Sequence, residues 1–434
     1  MKKVRRVKYS PGRDLLFVFL AAVIMITSGY IAIKKEGSEP EASELINLPA
    51  MVPGEKPTAK VEVFAKDIPS SLSSRRDVVE LMVSFTEDYY RGIAELTEKD
   101  LTGYFLDPAG IEAQRSRCVL EMVVGMRKMQ RVDLKMRFCE CYLYIKSVSI
   151  RGNICVITAE ETMNCRFNCC KDILSETQKI DVTFKADISE GQAKLTAYER
   201  VDEVFITVDI LRKSGKYERQ TAAATMEALR EGFLSTAGSY INYLNGQLAL
   251  FIAEGVDNPV ADNPYNREAA LSYAAEYALS RNPQYADYSL GGGNCANFGS
   301  QSVHAGGIPM DTAGNSRWKY FSRPLDNSAS AYGRTSSWTL VSAFHRYSAQ
   351  NTGYGMVAAA DTNIYSLEAG DIIICKRING EYTHIIVCAG PIYDKAGNVA
   401  DLLTFSNTID RRYYPLSAYG YCNYIAIKIL GWNN

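Results

Sequence analysis

The spacing of apolar and polar positions changes period several times along the chain, and each change marks an expected element. Residues 15–33 carry no charge. At a rise of about 1.5 Å per residue, this run approaches the thickness of a bilayer core. Residues 36–60, rich in Pro, Glu, Ser and Ala, hold no sustained apolar period and read as a stalk. Between 77 and 92, Val78, Val79, Leu81, Met82, Phe85 and Tyr89 recur at helical spacing, and residues 111–129 predict a second helix. The period then shortens. Leu134, Met136, Phe138, Tyr142 and Tyr144, followed by 154–162, 179–187 and 193–208, alternate as strands. Residues 221–255 predict a connecting helix whose Met and aromatic stripe belongs to core packing.

Further on, 266–280 predicts a helix with Ala270, Tyr273, Ala274, Tyr277 and Ala278 on one face, and Asn282-Pro283 a turn. A helix over 296–305 is stopped by Gly306 and Gly307. Another helix covers 337–347. A strand over 372–377, the Asn379-Gly380 turn and a returning strand over 382–389 form a hairpin. These elements define an α+β chain in five parts. Residues 1–34 form a basic tail and membrane anchor, 35–60 a linker, 61–215 an α+β domain, 216–260 a connecting helix, and 261–434 the domain that carries chemistry. Within 61–215, helices followed by a curved antiparallel sheet resemble the cone-shaped nuclear-transport-factor-like or SnoaL-like fold. That resemblance of pattern implies an accessory or positioning module and no activity of its own.

Composition narrows the function classes. With 47% hydrophobic and 22% charged residues the chain is globular, and a formal net charge of −1 leaves no broad basic footprint for nucleic acid. Lys2, Lys3, Arg5, Arg6, Lys8 and Arg13 precede the uncharged run, so everything after about residue 34 is expected outside the cytoplasm. No small-x-small site follows the run before Lys34 and Lys35. It therefore reads as an uncleaved anchor, with a cleaved signal peptide as the alternative. Eleven cysteines cannot all pair internally. Cys118, Cys139, Cys141, Cys155, Cys165, Cys169 and Cys170 lie in a region without histidine or paired Cys-x-x-Cys knuckles, which argues for disulfides or buried thiols over zinc.

Chemistry concentrates on Cys295. Gly291, Gly292 and Gly293 permit a tight turn that leaves this residue in the first turn of a helix. Unpaired N–H groups and the helix dipole favour a thiolate there, and the same donors can hold an oxyanion. The chain has three histidines to serve as its base. His304 lies nine residues beyond Cys295, about 900° around the same helix, and faces away. His345 sits inside the expected helix 337–347. His384 enters a strongly apolar strand at its beginning, where an imidazole needs a partner or a task, and is the expected base. The hairpin register sets Cys375 directly opposite His384, but mid-strand burial disfavours a thiolate at that position. Trp318, Tyr320, Phe321, Trp338 and Phe344 are expected mostly in the core.

Tyr265-Asn266-Arg267, Arg281-Asn282-Pro283, Gly293-Asn294-Cys295-Ala296-Asn297-Phe298, Ser300-Gln301, Ala305-Gly306-Gly307, Gly370-Asp371, His384 and Asp410-Arg411 follow in order over 265–429. In this succession the chain resembles the Putative amidase domain family of bacterial surface proteins, related in fold to papain-like and NlpC-type cysteine hydrolases. The family shows Gly-Asp-Cys-Thr-Asn-Phe at the nucleophile, from which Asn294 and Ala296 depart. A third member should accept a hydrogen bond from the far ring nitrogen of His384. Asn407, beside the next strand, is the candidate, since papain-like enzymes use asparagine in this role.

The catalytic set is therefore Cys295, His384 and Asn407. The expected protein is an extracytoplasmic cysteine amidase or peptidase that attacks an amide, with cell-wall stem peptides as the substrate implied by location and resemblance. No metal, nucleotide or flavin motif is present, and the Gly291–Gly293 run lacks the Gly-Lys-Ser/Thr of a phosphate loop. The alternative is a non-catalytic surface binding or scaffolding protein that retains the fold.

Overall fold

Residues 59–434, apart from 190, 256, 257, 314 and 315, are described by a computed structural model. The uncharged run and the stalk before residue 59 lie outside the described residues. Within them no helix is long and apolar enough to cross a membrane.

Strands supply the frame. β1 (Lys60–Lys66) pairs in parallel with β2 (Met136–Arg151), and the remaining pairings, through β3 (Ile154–Phe167), β4 (Ser175–Asp187) and β5 (Lys194–Arg200), are antiparallel. In β3 buried and partly exposed residues alternate without a break, the period-2 pattern of a sheet covered on one face. Helices α1 (Arg76–Glu95) and α2 (Ile111–Lys128) precede β2 in the chain, as their spacing predicts. Around Phe85 the rings of Phe105, Phe184 and Tyr198 pack within 6.3 Å, centroid to centroid, at steep angles.

One sequence expectation fails here. The strand expected over 193–208 ends at Arg200, and α3 (Glu203–Lys213) begins at once. The side chain of Asp202 caps the helix by accepting from the N–H groups of Val204 and Phe205. Val204, Val208 and Leu211 are buried at helical spacing. Helix α4 (Ala222–Glu254) follows over the predicted span.

Beyond α4 the same sheet continues. β6 (Asn263–Pro264), α5 (Arg267–Tyr277), α6 (Cys295–Ala305), α7 (Ser336–Thr339), α8 (Val341–Gln350), β7 (Gly355–Thr362), β8 (Ile372–Lys376), β9 (Tyr382–Tyr393), β10 (Val399–Ser406), β11 (Asp410–Pro415) and β12 (Tyr424–Asn433) complete the chain. The helix expected over 337–347 is interrupted at Leu340, which has an extended backbone. The strands run in the order β1-β2-β3-β4-β11-β10-β9-β8-β12-β6, with β5 on β4 and β7 on β12, giving one large mixed sheet. β4 is the junction. Its first half pairs with β11 through Glu176, Thr177 and Gln178, and its second half pairs with β5. Residue pairs from the two regions therefore share ladder hydrogen bonds, and the fold is α+β. All eleven cysteines are free thiols, including Cys139 and Cys165, which face each other across β2 and β3.

Candidate active site

Cys295 begins α6 behind two glycines in the left-handed region, Gly292 at φ 109° and Gly293 at φ 114°. A side chain at either position would be strained, so the turn requires glycine. Three asparagines then hold it. Asn294 donates its amide N–H to Asn407 Oδ1 at 2.8 Å, and its Oδ1 accepts from Asn297 Nδ2 at 2.9 Å and from the Tyr288 backbone N–H at 3.2 Å. Trp338 Nε1 donates to Asn297 Oδ1 at 2.9 Å. The backbone N–H of Asn294 donates to Thr408 Oγ1 at 3.1 Å. The turn before the thiol is therefore fixed from α6, α7 and the β10–β11 connection at once.

Helix α6 lies flat on β8 and β9 because Gly299 has no side chain. A Cβ there would stand 2.7 Å from Ile385 Cγ2. This close approach sets the Cys295 thiol against the backbone N–H of Ile385, and the N–H groups of Cys295 and Ala296 also favour its charged form. Cys295 is 6% exposed, and burial outweighs those donors and pushes the thiol above its usual range. The activation expected from the helix N-terminus is thus offset by desolvation. The first-turn N–H groups remain available as oxyanion donors.

His384 stands on β9 next to Ile385 and pairs across the hairpin with Cys375 as expected, although nearer the turn Lys376 pairs with Tyr382 and the register shifts between Cys375 and Lys376. It is 5% exposed. Burial, and after it the nearby Arg411 guanidinium, lower its pKa to about 4, against smaller opposing effects of Glu203 and Asp410. The imidazole is consequently neutral at pH 7, able to accept a proton but holding none to stabilise a resting thiolate. Tyr421 stacks beside it, ring centroids 6.3 Å apart and planes 25° apart. Among the described residues neither ring nitrogen has a hydrogen-bond partner, and none links it to the Cys295 thiol. The other histidines are occupied elsewhere. His304 Nδ1 lies 2.8 Å from the Ile308 carbonyl, and His345 lies between Asp361 and Tyr382.

Asn407 is brought to the nucleophile turn and not to the imidazole. Its Oδ1 accepts from Asn294, and its Nδ2 points at the carbonyls of Tyr277, Ala278 and Ser280 at 3.1–3.2 Å. The expected hydrogen bond to His384 is therefore not made, because the amide has both ends engaged. The turn carrying Asn407 and Thr408 is anchored by Asp410, which is fully buried. It meets both terminal nitrogens of Arg281 at 3.0 Å, Lys179 at 2.7 Å, and the Thr408 N–H at 2.8 Å. Gly370-Asp371 and Arg267, singled out in sequence, form a second buried anchor. Asp371 accepts from Arg267 and from the Ile429 N–H at 2.8 Å each, and burial raises its pKa to about 6.

Arg411, singled out in sequence with Asp410, has beside the imidazole a partner that sequence reasoning did not find. Glu203, the first residue of α3, meets the buried Arg411 at 3.0 Å, and its other oxygen accepts from the Gly420 N–H at 3.2 Å. A Cβ on Gly420 would lie 2.3 Å from Val204, so the start of α3 is pressed onto this loop. From Arg411 a column of stacked rings leads to the imidazole. The guanidinium stands 4.5 Å from the Tyr419 ring, Tyr419 stacks on Tyr421 at 6.3 Å, and Tyr421 stacks on His384. The Asp202 cap was the available signal for a helix starting at Glu203. Trp318, Trp338 and Phe344 are buried as expected, whereas Phe321 is 46% exposed.

Residues 264–430 match the family model described as Putative amidase domain, the family whose motifs the sequence resembles. The uncharacterized protein YhbB of Bacillus subtilis (strain 168) is 32% identical over 130 residues, 28% of this chain and 37% of that protein. The similarity thus spans little more than a third of the relative's length. No solved structure matches the chain.

Proposed function

We propose that the protein is a cysteine amidase or peptidase of papain-like type, with Cys295 as nucleophile, His384 as base and Asn407 as a positioning residue for the nucleophile turn. The observation that carries this reading is the seating of Cys295 at the start of α6, behind left-handed glycines and against the N–H next to His384. As the thiol sulfur attacks the amide carbonyl carbon, its proton passes to the neutral imidazole, and first-turn N–H groups hold the tetrahedral oxyanion. His384 then returns that proton to the leaving amine. Water, deprotonated by the same ring, hydrolyses the thioester and regenerates the thiol. Peptide stems of the cell wall fit an enzyme held outside the cytoplasm by residues 15–33, or secreted if that run is cleaved. In this reading 61–215 is a cone-like accessory domain joined through 216–260 to the hydrolase region 261–434. An anchored form should remain in the membrane fraction, and protease added to intact cells should remove everything after residue 60. Recovery of a soluble form starting near residue 34 would establish cleavage.

A second reading, a surface binding or scaffolding protein without turnover, is favoured by the raised thiol pKa and by the unbonded imidazole. Iodoacetamide labelling with peptide mapping separates the two, because all eleven thiols are free and only mapping assigns the modified one. Labelling of Cys295 should slow by about a hundredfold or more in His384→Ala, in line with the usual contribution of a general base. His345→Ala should leave it unchanged. Equal loss in both variants, or no labelling of Cys295 in the parent, would remove the catalytic assignment.

A further inference from the structure

Between α2, β4, β11 and the loop after β11 lies a cavity of about 50 Å³ lined by buried side chains. That is several times the ~10–15 Å³ needed by a single water molecule. Four charged side chains line it, three of them cationic: Arg127, Arg200 and Arg411, with Glu203. Two of the cations are countered. Arg200 meets Glu161 at 2.6 Å and Asp202 at 2.5 Å, and Arg411 meets Glu203 at 3.0 Å.

Arg127 is different. It is 5% exposed, and its Nη2 donates to the Tyr414 hydroxyl at 2.8 Å and to the Ala418 carbonyl at 2.9 Å, both neutral acceptors. Among the described residues no carboxylate lies within salt-bridge distance of it. Its Nε and Nη1 have no hydrogen-bond partner, nor have Arg411 Nε and Thr177 Oγ1, which line the same cavity. Thr177 and Arg411 are cross-strand neighbours at the β4–β11 junction, so these groups share one wall. The ring of Tyr414 ties the two arginines together. Its hydroxyl accepts from Arg127, and its ring centroid lies 4.8 Å from the Arg411 guanidinium.

An arginine side chain cannot shed its proton to relieve burial, and it offers only donors. A buried cation is otherwise paired. Water can fill the space and accept from these groups, but it leaves Arg127 with no countercharge in contact, since the three carboxylates nearby are held by Arg200 and Arg411. We propose that the cavity binds a small monovalent anion of the size of chloride, held by Arg127 Nε and Nη1, Arg411 Nε and the Thr177 hydroxyl. The site joins the 61–215 region to the region carrying Cys295, and it does not depend on whether that region is catalytic.

Crystals of the full chain containing bromide should show an anomalous scatterer within hydrogen-bonding distance of Arg127 Nε or Nη1. In solution, sodium chloride should raise Tm saturably by a few degrees over sodium gluconate at equal ionic strength, because gluconate is too large to enter. Arg127→Gln should abolish the difference between the two salts. Density for water only, with equal Tm in both salts, overturns the proposal. A bromide peak without a chloride-specific shift marks an adventitious ion only and overturns it equally. Should Arg127→Gln not fold, the scattering and salt measurements on the unaltered chain decide the question alone.

Discussion

Cys295→Ala will fold, at a cost in stability no greater than about 1 kcal/mol for the lost sulfur, and lose amide turnover by about a thousandfold or more, the scale set by removal of a covalent nucleophile. Cys375→Ala will cost stability and keep turnover. Proximity along the sheet favours Cys375, which pairs with His384 across the hairpin. It lies among Ile372, Ile373 and Ile374 with no exposure, and burial raises its thiol well above the usual range without any helix terminus to supply oxyanion donors. Burial raises the Cys295 thiol as well, but three backbone N–H groups act against it. Removing the Cys375 sulfur leaves a small void and costs about 1 kcal/mol, with turnover per folded molecule nearly unchanged. Urea unfolding and a matched amide-release assay on both variants decide the matter. Turnover that survives Cys295→Ala and vanishes with Cys375→Ala would move the nucleophile to the sheet.

What could be read from sequence follows the range of the interactions involved. Asn379-Gly380 announced the hairpin that pairs Cys375 with His384, but the turn closes from Arg377 to Gly380 and a register shift between Cys375 and Lys376 restores that pair, which no local signal foretold. The glycines before Cys295 announced a helix start for a similarly local reason. The stretch 193–208 misled because Val204, Ile206 and Val208 are β-branched residues with strand propensity. Burial at helical spacing and the Asp202 cap overrode it. Asn407 reads in sequence as the residue that orients His384. Its partners, however, are Asn294 and three carbonyls more than a hundred residues away, and nothing local distinguishes those from an imidazole. Glu203 and Arg411 are 208 positions apart, and only the continuation of β4 into β11 brings them together.

That pair carries the other large expected effect. Glu203→Gln keeps the size of the side chain and an acceptor for the Gly420 N–H, but it strips the countercharge from Arg411, which is 6% exposed. Breaking a buried ion pair from one side costs about 3–5 kcal/mol, and the urea midpoint should fall accordingly with an unchanged slope. Replacing both partners with methionine should recover much of that loss, since no uncompensated charge then remains. The second consequence reaches the imidazole. His384 faces Arg411, Glu203 and Asp410 as charged neighbours, with Tyr421 stacked on it and Cys375 across the hairpin. Burial and Arg411 lower its pKa, and Glu203 opposes them. With Glu203 neutral, the opposing effect is lost and the protonated ring becomes still less favourable. The acid limb of kcat/KM, expected near the His384 pKa of about 4 in the parent, should therefore move to lower pH in Glu203→Gln. A purely structural role would lower stability and leave that limb in place. An unmoved limb together with an unmoved urea midpoint would show that α3 neither supports the fold at this point nor acts on the imidazole.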